Sequence, residues 1–311
     1  MTESYTIFDR GLLRRRRVRA AGLGGETALL REAAERLADR LDDVNRRFSL
    51  ALDLGCRSGT LARTLKGRGG VETLVQSDLA PEMAALAAGG GPALAADEEF
   101  LPFGAGTFDL VLSCLSLHWV NDLPGALVQI RHALRPDGLF LAALLGGETL
   151  KELRQALMEA ELEIEGGASP RVSPFADLRD LGGLLQRAGF ALPVADLDSL
   201  TLDYRNVFEL IQDLRALGET NAVAAQRRGA SRRRTLLRAA GLYQARHGRP
   251  DGRIPASFQV LYLTGWAPHA SQQQPLAPGS ARSRLAAALG AEEHSAGEPA
   301  RPGPAGKTPK R

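Results

Sequence analysis

Residues 50–59, LALDLGCRSG, contain the pattern that decides the fold of this chain. The apolar run 50–54 predicts a buried strand, and Gly55 and Gly59 mark the turn into a helix predicted over 60–66. Glycines at such a turn let the backbone approach a ligand closely, and the N-terminus of the following helix offers free N–H groups. The stretch therefore predicts a ligand-binding turn between a strand and a helix.

Short apolar runs alternate with helical patterns on both sides of this turn. Strands are predicted over 50–54, 73–77, 93–96, 108–114 and 139–145, with helices over 60–66, 81–88 and 123–134. Strands that alternate with helices favour a parallel, doubly wound sheet, and right-handed crossovers place helices on both of its faces. The sequence thus predicts an α/β, Rossmann-like core.

The flanking segments extend this core. Helices are predicted over 26–44, over 149–165, from Ser173-Pro174 to Gly189, over 207–217 and over 232–247, and strands over 196–204 and 257–266. We expect a basic arm and helix (1–48), a core (49–204), a helical lid insertion (205–256), a last core strand (257–267) and a tail (268–311). The tail contains seven of the 17 prolines, which predicts disorder apart from a short helix over 282–289.

The composition limits the classes of function. Of the 311 residues, 44% are hydrophobic and 24% are charged, as in an ordinary globular protein. The net charge of +3 can be assigned to residues 268–311, so it is poor evidence for a nucleic-acid surface. Two cysteines cannot form a disulfide framework, and the longest apolar run is too short to span a membrane. We expect a cytoplasmic protein without a secretion signal, transit peptide or transmembrane segment.

Acidic residues follow three consecutive predicted strands. Asp53 lies in the first strand, Asp78 ends the second, and Asp97 with its neighbour Glu98 ends the third. The carboxyl ends of parallel strands line one crevice, where open α/β sheets bind their ligands. An acidic crevice suits a nucleoside that carries a positive charge better than a dinucleotide pyrophosphate. The pattern therefore favours S-adenosylmethionine over NAD as the cofactor.

Residues 53–59, Asp78, Asp97 and the run 108–111 resemble class I S-adenosylmethionine-dependent methyltransferases. More specifically, the chain resembles the methyltransferase-like assembly factors of respiratory complex I, and the run 118–124 is also similar to the malonyl-carrier-protein methyltransferases of biotin synthesis. The resemblance to the assembly factors rests on residues 7–10, 115–124, 146–150, 165–167, 173–175 and 265–266.

This resemblance implies a seven-stranded sheet, a protein client that carries the last iron–sulfur cluster of complex I, and hydroxylation of an arginine of that client. It also implies a cofactor site. In that site, Asp53, Gly55 and Gly59 contact the methionine end, Asp78 contacts the ribose, and Asp97 and Glu98 lie near the adenine. The other residues that we expect in the site are Cys56, Arg57, Leu79 and Ser113.

Arg57 departs from the family pattern, because it replaces the middle glycine of the turn D-x-G-x-G-x-G. If that position has a positive φ, an arginine there is strained by about 1–3 kcal/mol, and cofactor binding weakens. Alternatively, the guanidinium binds the methionine carboxylate and binding is retained. The sequence leaves both outcomes open.

His118 is the candidate catalytic residue, because it follows the fourth strand at the rim of the crevice, with Trp119 beside it. Its imidazole suits a general base or a group that orients a substrate, although a capping histidine fits equally well. We expect Asn121 and Asp122 to cap the next helix. No metal site is expected, because none of the histidines pairs at H-x-D spacing with another ligand: His118, His132, His247, His269 and His294. Hydroxylation is therefore left without a mechanism.

Two other sets of residues have both a structural and a functional interpretation. Cys56 and Cys114 are interpreted as small buried residues rather than nucleophiles. The basic runs 14–17 and 232–234 suit either solvated helix faces or contacts with anionic lipid or an acidic protein face. Peripheral association with the inner face of a membrane thus stays open.

The leading hypothesis is an assembly factor that methylates or hydroxylates a complex I subunit. The alternatives are a small-molecule or acyl-carrier methyltransferase of the biotin type, and a non-catalytic assembly chaperone that keeps the fold.

Overall fold

The computed structural model describes residues 6–227, 229, 231–273 and 285–292. It contains two compact units, residues 1–270 and 271–311. In the second unit, the described residues include one short helix, α10 (Leu285–Leu289), which lies within the helix predicted over 282–289. The prediction of disorder for the rest of the tail falls largely outside the described residues.

The described residues of the first unit form one seven-stranded sheet in the order β3-β2-β1-β4-β5-β7-β6. Strands β1 to β5 are parallel, and β7 is antiparallel to both β5 and β6. This is the Rossmann-like, mostly parallel architecture that the sequence predicted. The strands are β1 (Leu50–Leu54), β2 (Thr73–Asp78), β3 (Ala93–Ala95), β4 (Phe108–Cys114), β5 (Leu134–Leu145), β6 (Ala191–Tyr204) and β7 (Ile254–Trp266).

Helices cover both faces of the sheet. They are α1 (Arg10–Ala21), α2 (Ala28–Asp42), α3 (Thr60–Leu65), α4 (Pro81–Ala87), α5 (Leu123–Ala133), α6 (Lys151–Glu165), α7 (Leu178–Arg187), α8 (Val207–Leu217) and α9 (Arg233–His247). Apolar side chains of α2, α3, α6, α8 and α9 form the core on one face, and those of α5 and α7 form the core on the other. Because β4 and β5 are covered on both sides, their side chains are buried almost without alternation.

Two predicted helix starts are wrong, and local hydrogen bonds explain why. The helix predicted from Ser173-Pro174 begins at Leu178, because the Asp177 carboxylate accepts a hydrogen bond from the N–H of Arg179 and caps the helix there. The helix predicted from Thr149 begins at Lys151. The Thr149 hydroxyl instead donates to the Gln259 carbonyl at 3.1 Å, which ties this turn to β7.

The strands at the antiparallel edge are longer than predicted. β6 and β7 pair from Ala191 opposite Trp266 to Tyr204 opposite Ile254, and β5 begins at Leu134 instead of residue 139. β6 has buried or half-buried side chains alternating with exposed ones over much of its length, so its first residues lack the continuous apolar run that predicted the central strands.

A central strand and the edge strand of the sheet predict unequal costs for the same truncation. Leu141 on β5 is 1% exposed, whereas Leu197 on β6 is 39% exposed. Because truncation of a buried leucine loses apolar burial and leaves a cavity, we expect Leu141→Ala to lower the free energy of unfolding by about 2–5 kcal/mol. The matched variant Leu197→Ala is expected to cost less than about 1 kcal/mol. Urea unfolding followed by circular dichroism measures both, and equal losses would contradict the described burial.

Candidate functional site

The carboxyl edge of the parallel strands carries the predicted acids in one crevice. Asp53 and Asp78 lie in β1 and β2, and Asp97 and Glu98 follow β3. Asp53, Asp78 and Glu98 are fully buried, whereas Asp97 is half-buried. The structure thus brings together the four acids that the sequence assigned to a single site.

Asp53 is the acid whose charge is least compensated. Within the described residues, neither of its carboxylate oxygens has a hydrogen-bond partner. Burial, and then the neighbouring charge of Asp78, raise its pKa to about 8. At neutral pH this carboxyl group is therefore mostly protonated, and a positive charge that enters the crevice would favour its ionised form.

The turn after β1 depends on its glycines. Gly55 has φ 77°, and a Cβ at this position would overlap the Ser116 side chain. The N–H groups of Gly55 and Cys56 both donate to the Ser77 carbonyl at 2.8 Å, which fixes the turn against β2. Gly59 also has a positive φ, 76°, and a Cβ atom at this position would lie 3.1 Å from Ala87. Both glycines are therefore needed for close backbone packing.

The two cysteines are buried and free. Burial, and then the charge of Asp53, raise the pKa of both the Cys56 and the Cys114 thiols well above the ordinary value. A thiol in this state is a poor nucleophile, because the thiolate is the reactive form. The interpretation of Cys56 and Cys114 as packing residues is therefore supported.

Arg57 adopts the strained conformation and also forms an ion pair that the sequence did not suggest. Its φ is 51°, in the region that favours glycine. Its N–H donates to the Asp78 carboxylate at 3.0 Å. Its buried guanidinium donates to the Leu217 carbonyl at 2.6 Å, to the Leu115 carbonyl and to Glu219. The Arg57 side chain thus crosses from the turn to the segment after α8, where Glu219 neutralises it.

Glu219 is the residue of the site that the sequence analysis missed. Its carboxylate accepts from Trp119 Nε1 at 2.8 Å and pairs with His118 Nε2 at 2.9 Å and with Arg57. Burial alone would raise its pKa, but the charges of His118 and Arg57 outweigh burial and lower the pKa to about 2. Its only sequence signal was its place in the predicted lid, one residue after the glycine that ends α8.

Two arginines of α1 close the crevice above the acids. The Arg17 guanidinium is fully buried, donates to Glu98 Oε1 and to Ser116 Oγ at 2.7 Å each, and lies 3.4 Å from Asp78. Arg10 pairs with Asp97 and Glu98. Burial would raise the pKa of Glu98, but Arg17 and Arg10 hold it well below its usual range. The interpretation of the run 14–17 as a solvated face is wrong for Arg17.

Three other predicted residues have structural contacts. Leu79 is half-buried against the Phe8–Trp119 cluster, and the Ser113 hydroxyl donates to the Leu54 carbonyl at 2.7 Å, which joins β4 to β1. Asp122 caps α5 as predicted. Asn121 does not, because its side-chain oxygen accepts from the N–H groups of Ile7 and Phe8 at 2.8 Å. Asn121 therefore fastens the segment before α1.

The acids of the crevice suit S-adenosylmethionine, which carries an ammonium and a sulfonium charge. The unpartnered oxygens of buried Asp53 are the observation that supports this fit. The guanidinium groups of Arg57 and Arg17, however, lie among the same acids and the Leu115 carbonyl. The residues therefore fit the cofactor in charge, and we expect these two side chains to move if it binds here.

The raised pKa of Asp53 predicts a pH-dependent stability difference. A folded-state pKa of about 8 against 3.8 when unfolded means that ionisation disfavours the folded state, so stability is lost as the pH rises between these values. We expect Asp53→Asn to gain stability relative to the unaltered protein from about pH 4 to about pH 8, by a few kcal/mol at most. Thermal unfolding across this range measures it. The exposed control Asp43→Asn should show no such trend, and a flat difference for Asp53→Asn would contradict the assignment.

The ion pair of Arg57 predicts a gain in cofactor affinity when its side chain is removed. Arg57→Gly relieves the strained φ and removes the guanidinium from the crevice, so we expect about tenfold tighter binding of S-adenosylmethionine by calorimetry. Lys66→Gly is the matched control, because Lys66 also has a positive φ, 43°, but is exposed outside the crevice. Equal affinity of Arg57→Gly and the unaltered protein would show that the side chain does not obstruct the site.

Comparisons with known proteins agree with this geometry. A family profile described as a methyltransferase domain matches residues 52–142, which include the turn and the acids. The chain is 44% identical over 290 residues to arginine-hydroxylase NDUFAF5, mitochondrial, of Danio rerio, covering 91% of this chain and 90% of that protein. It is 34% identical to the malonyl-[acyl-carrier protein] O-methyltransferase of a Methylovorus species, covering 91% of this chain and 98% of that protein.

A solved structure shows the same fold. The YcgJ protein of Bacillus subtilis superposes with a TM-score of 0.52 at 15% identity, over 75% of this chain and 98% of that protein. The sequence identities, the methyltransferase domain and the shared fold lead to one assignment. This chain belongs to the NDUFAF5 arginine-hydroxylase family, whose members have the class I S-adenosylmethionine-dependent methyltransferase fold.

Proposed function

We propose that this chain is an enzyme that uses S-adenosylmethionine and modifies a protein client during assembly of respiratory complex I, the client being its subunit with the last iron–sulfur cluster. One observation carries the proposal most directly. The acids that follow three consecutive strands meet in a crevice whose rim holds a histidine paired with a buried carboxylate. The 44% identity to a protein named as an arginine-hydroxylase supports arginine as the client residue that is modified.

The predicted cofactor residues divide along the crevice. We propose that Asp53 and the turn from Gly55 to Gly59, with Cys56 and the backbone of Arg57, hold the methionine end. Asp78 and Leu79 hold the ribose, and Asp97 lies at the adenine end with Glu98. Ser113 supports the site, because its hydroxyl donates a hydrogen bond to the Leu54 carbonyl and so joins β4 to β1. When bound, S-adenosylmethionine supplies a methyl group to a nucleophile.

His118 is placed to accept a proton. The Glu219 carboxylate, which also pairs with Arg57, favours the tautomer in which a neutral His118 carries its hydrogen on Nε2 and donates it to the carboxylate. That leaves Nδ1 as the acceptor nitrogen, and Nδ1 is buried without a partner in the described residues. A client nucleophile at Nδ1 would lose its proton to His118, and Glu219 would stabilise the resulting imidazolium.

The two modifications differ in what they consume. Methylation transfers the methyl group to the client, leaves S-adenosylhomocysteine and releases one proton, which His118 accepts. Hydroxylation of an arginine carbon transfers no methyl group; it consumes dioxygen, two electrons and two protons, and it leaves one oxygen atom on the client and the other in water. Both start from a client side chain at the rim, where the Phe175 ring lies 5.9 Å from the His118 ring.

A carrier-protein methyltransferase is the second candidate. It is favoured by the 34% identity to a malonyl-carrier enzyme and by the aromatic rings of Trp119 and Phe175 beside His118, which suit an apolar acyl chain. The non-catalytic chaperone is the third, and the Arg57 side chain within the crevice favours it.

We further propose that the chain acts in the cytoplasm, with peripheral association at the inner face of the membrane that carries its client. The two free buried cysteines suit a reducing compartment. Among the described residues, no helix is both long and apolar enough to cross a membrane. The relatives from Danio rerio and Homo sapiens are named as mitochondrial proteins.

Incubation of the purified protein with methyl-labelled S-adenosylmethionine and the iron–sulfur subunit tests the function. We expect the client to gain either a labelled methyl group or one oxygen atom, as read by mass spectrometry of its arginine peptides. We expect His118→Asn to lower the rate by roughly a hundredfold or more, because it removes the acceptor nitrogen.

Cofactor binding is measured in parallel by calorimetry, with Asp78→Asn as the variant expected to lose it. Binding of the client without modification, with no cofactor bound, would favour the chaperone. Methylation of a malonyl-carrier protein but not of the subunit would favour the carrier enzyme.

A further inference from the structure

Helix α1 has a second basic surface that faces away from the crevice. The helix contains six arginines and no acid, and Arg10 and Arg17 alone are used to pair the crevice acids. Arg14, Arg15 and Arg19 are exposed and have no ion pair with any described residue, and Arg16 is half-buried. Four positive charges within a little over one helical turn repel each other unless an anion lies between them.

A groove runs along this surface, between α1 and residues 223–227 and 229. Its volume is about 430 Å³. Arg15 and Arg16 line one wall, and Val223, Gln226 and Arg227 line the other. Arg227 pairs with Glu165, and the one acid in the lining, Asp9, accepts from the N–H of Leu12. The groove is therefore concave and positively charged.

Arg16 shows where the positive charge is uncompensated. Its Nη2 donates to Gln226 Oε1 at 3.3 Å, but its Nη1 is buried and has no partner among the described residues. Burial, and then the charges of Arg19 and Arg15, lower its pKa, although Asp9 acts in the opposite direction. A carboxylate in the groove would supply the missing hydrogen-bond acceptor and countercharge together.

We propose that this groove, defined by Arg15, Arg16, Gln226 and Arg227, binds an acidic segment of a protein client. The inference rests on the proposed function, because it gives the client's chemistry. A groove of this volume takes several side chains of an extended peptide, whereas a lipid bilayer presents a flat surface that reaches Arg14 and Arg19 more easily than Arg16. The half-buried position of Arg16 therefore favours a peptide over a membrane.

The groove adjoins the rim of the crevice, so a segment bound in the groove would lie close to the site of modification. The segment before α1 forms both structures: Phe8 packs edge-on against Trp119 at 5.2 Å, and Asp9 N–H donates to the Ala222 carbonyl at 2.8 Å. An acidic segment held at Arg15 and Arg16 would bring neighbouring client residues towards His118. The groove would thus select clients by charge before any chemistry takes place.

Binding of a fluorescein-labelled octaglutamate peptide tests this proposal, with octaglutamine as the neutral comparison. Fluorescence anisotropy at low ionic strength is expected to detect binding of octaglutamate only, and added salt should weaken it. The double variant Arg15→Gln/Arg16→Gln should lower the affinity about tenfold or more, because it removes two charge-assisted sites. The matched control is Arg233→Gln/Arg234→Gln, which makes the same change of charge at exposed α9 arginines outside the groove.

Three results would overturn the proposal: equal affinity of the groove variant and the unaltered protein, an equal loss in the α9 control, or binding to phosphatidylserine vesicles but not to octaglutamate. Circular dichroism of each variant shows whether it is folded, and Arg15 and Arg16 have no hydrogen bond or ion pair with the crevice acids. Octaglutamate binding needs no cofactor. The octaglutamate result can therefore be interpreted even if the proposed enzyme activity is absent. The enzyme activity can likewise be interpreted even if octaglutamate does not bind.

Discussion

The pairing of buried carboxylates with arginines is the interaction on which the site depends. Asp78, Glu98 and Glu219 are buried in or beside the crevice, and each contacts a guanidinium group that comes from another part of the chain. Removing one partner from a buried ion pair typically costs about 3–5 kcal/mol, because it leaves an uncompensated charge. The positions of α1, the β1 turn and the segment after α8 are therefore linked through a few side chains.

Under the proposed function, this linkage would couple the cofactor site to the client site. A positively charged cofactor can replace a guanidinium group as the counterion of the acids, and the displaced arginine then needs a new partner. The Arg57 side chain connects the crevice to Glu219. The Glu219 carboxylate also contacts His118 and Trp119 at the rim. Arg17 leads to α1, whose outer surface forms the basic groove. Both routes join the cofactor acids to surfaces that a client would meet.

Much of the fold could be predicted from sequence because it rests on local patterns. Short apolar runs that alternate with helical patterns predicted the central strands β1, β2, β4 and β5, and the acids at the carboxyl ends of β1 to β3 predicted one crevice. The longer edge strand β6 was underestimated, because its exposed face interrupts the apolar signal. The helix start at Leu178 was missed because both Ser173 and Asp177 are good caps, and only tertiary contacts choose between them.

The parts of the site that escaped prediction all depend on contacts between residues distant in sequence. Glu219 pairs with Arg57 across 162 positions, and Arg17 pairs with Glu98 across 81. No local periodicity predicts such a pair. A run of four arginines likewise does not indicate that its last member is buried. Nor could spacing predict that Arg57 would combine a positive φ with an ion pair to Glu219 after α8.

The proposed cofactor site consists of the crevice acids, of which Asp78, Asp97 and Glu98 now pair with the chain's own arginines. Hydrogen–deuterium exchange with and without saturating S-adenosylmethionine tests this most directly, because it reports on each segment separately. The account predicts slower exchange in the turn 55–59 on binding, together with faster exchange in α1 as Arg10 and Arg17 leave their acids. Saturable binding that leaves the exchange of both segments unchanged would place the cofactor elsewhere and contradict the account.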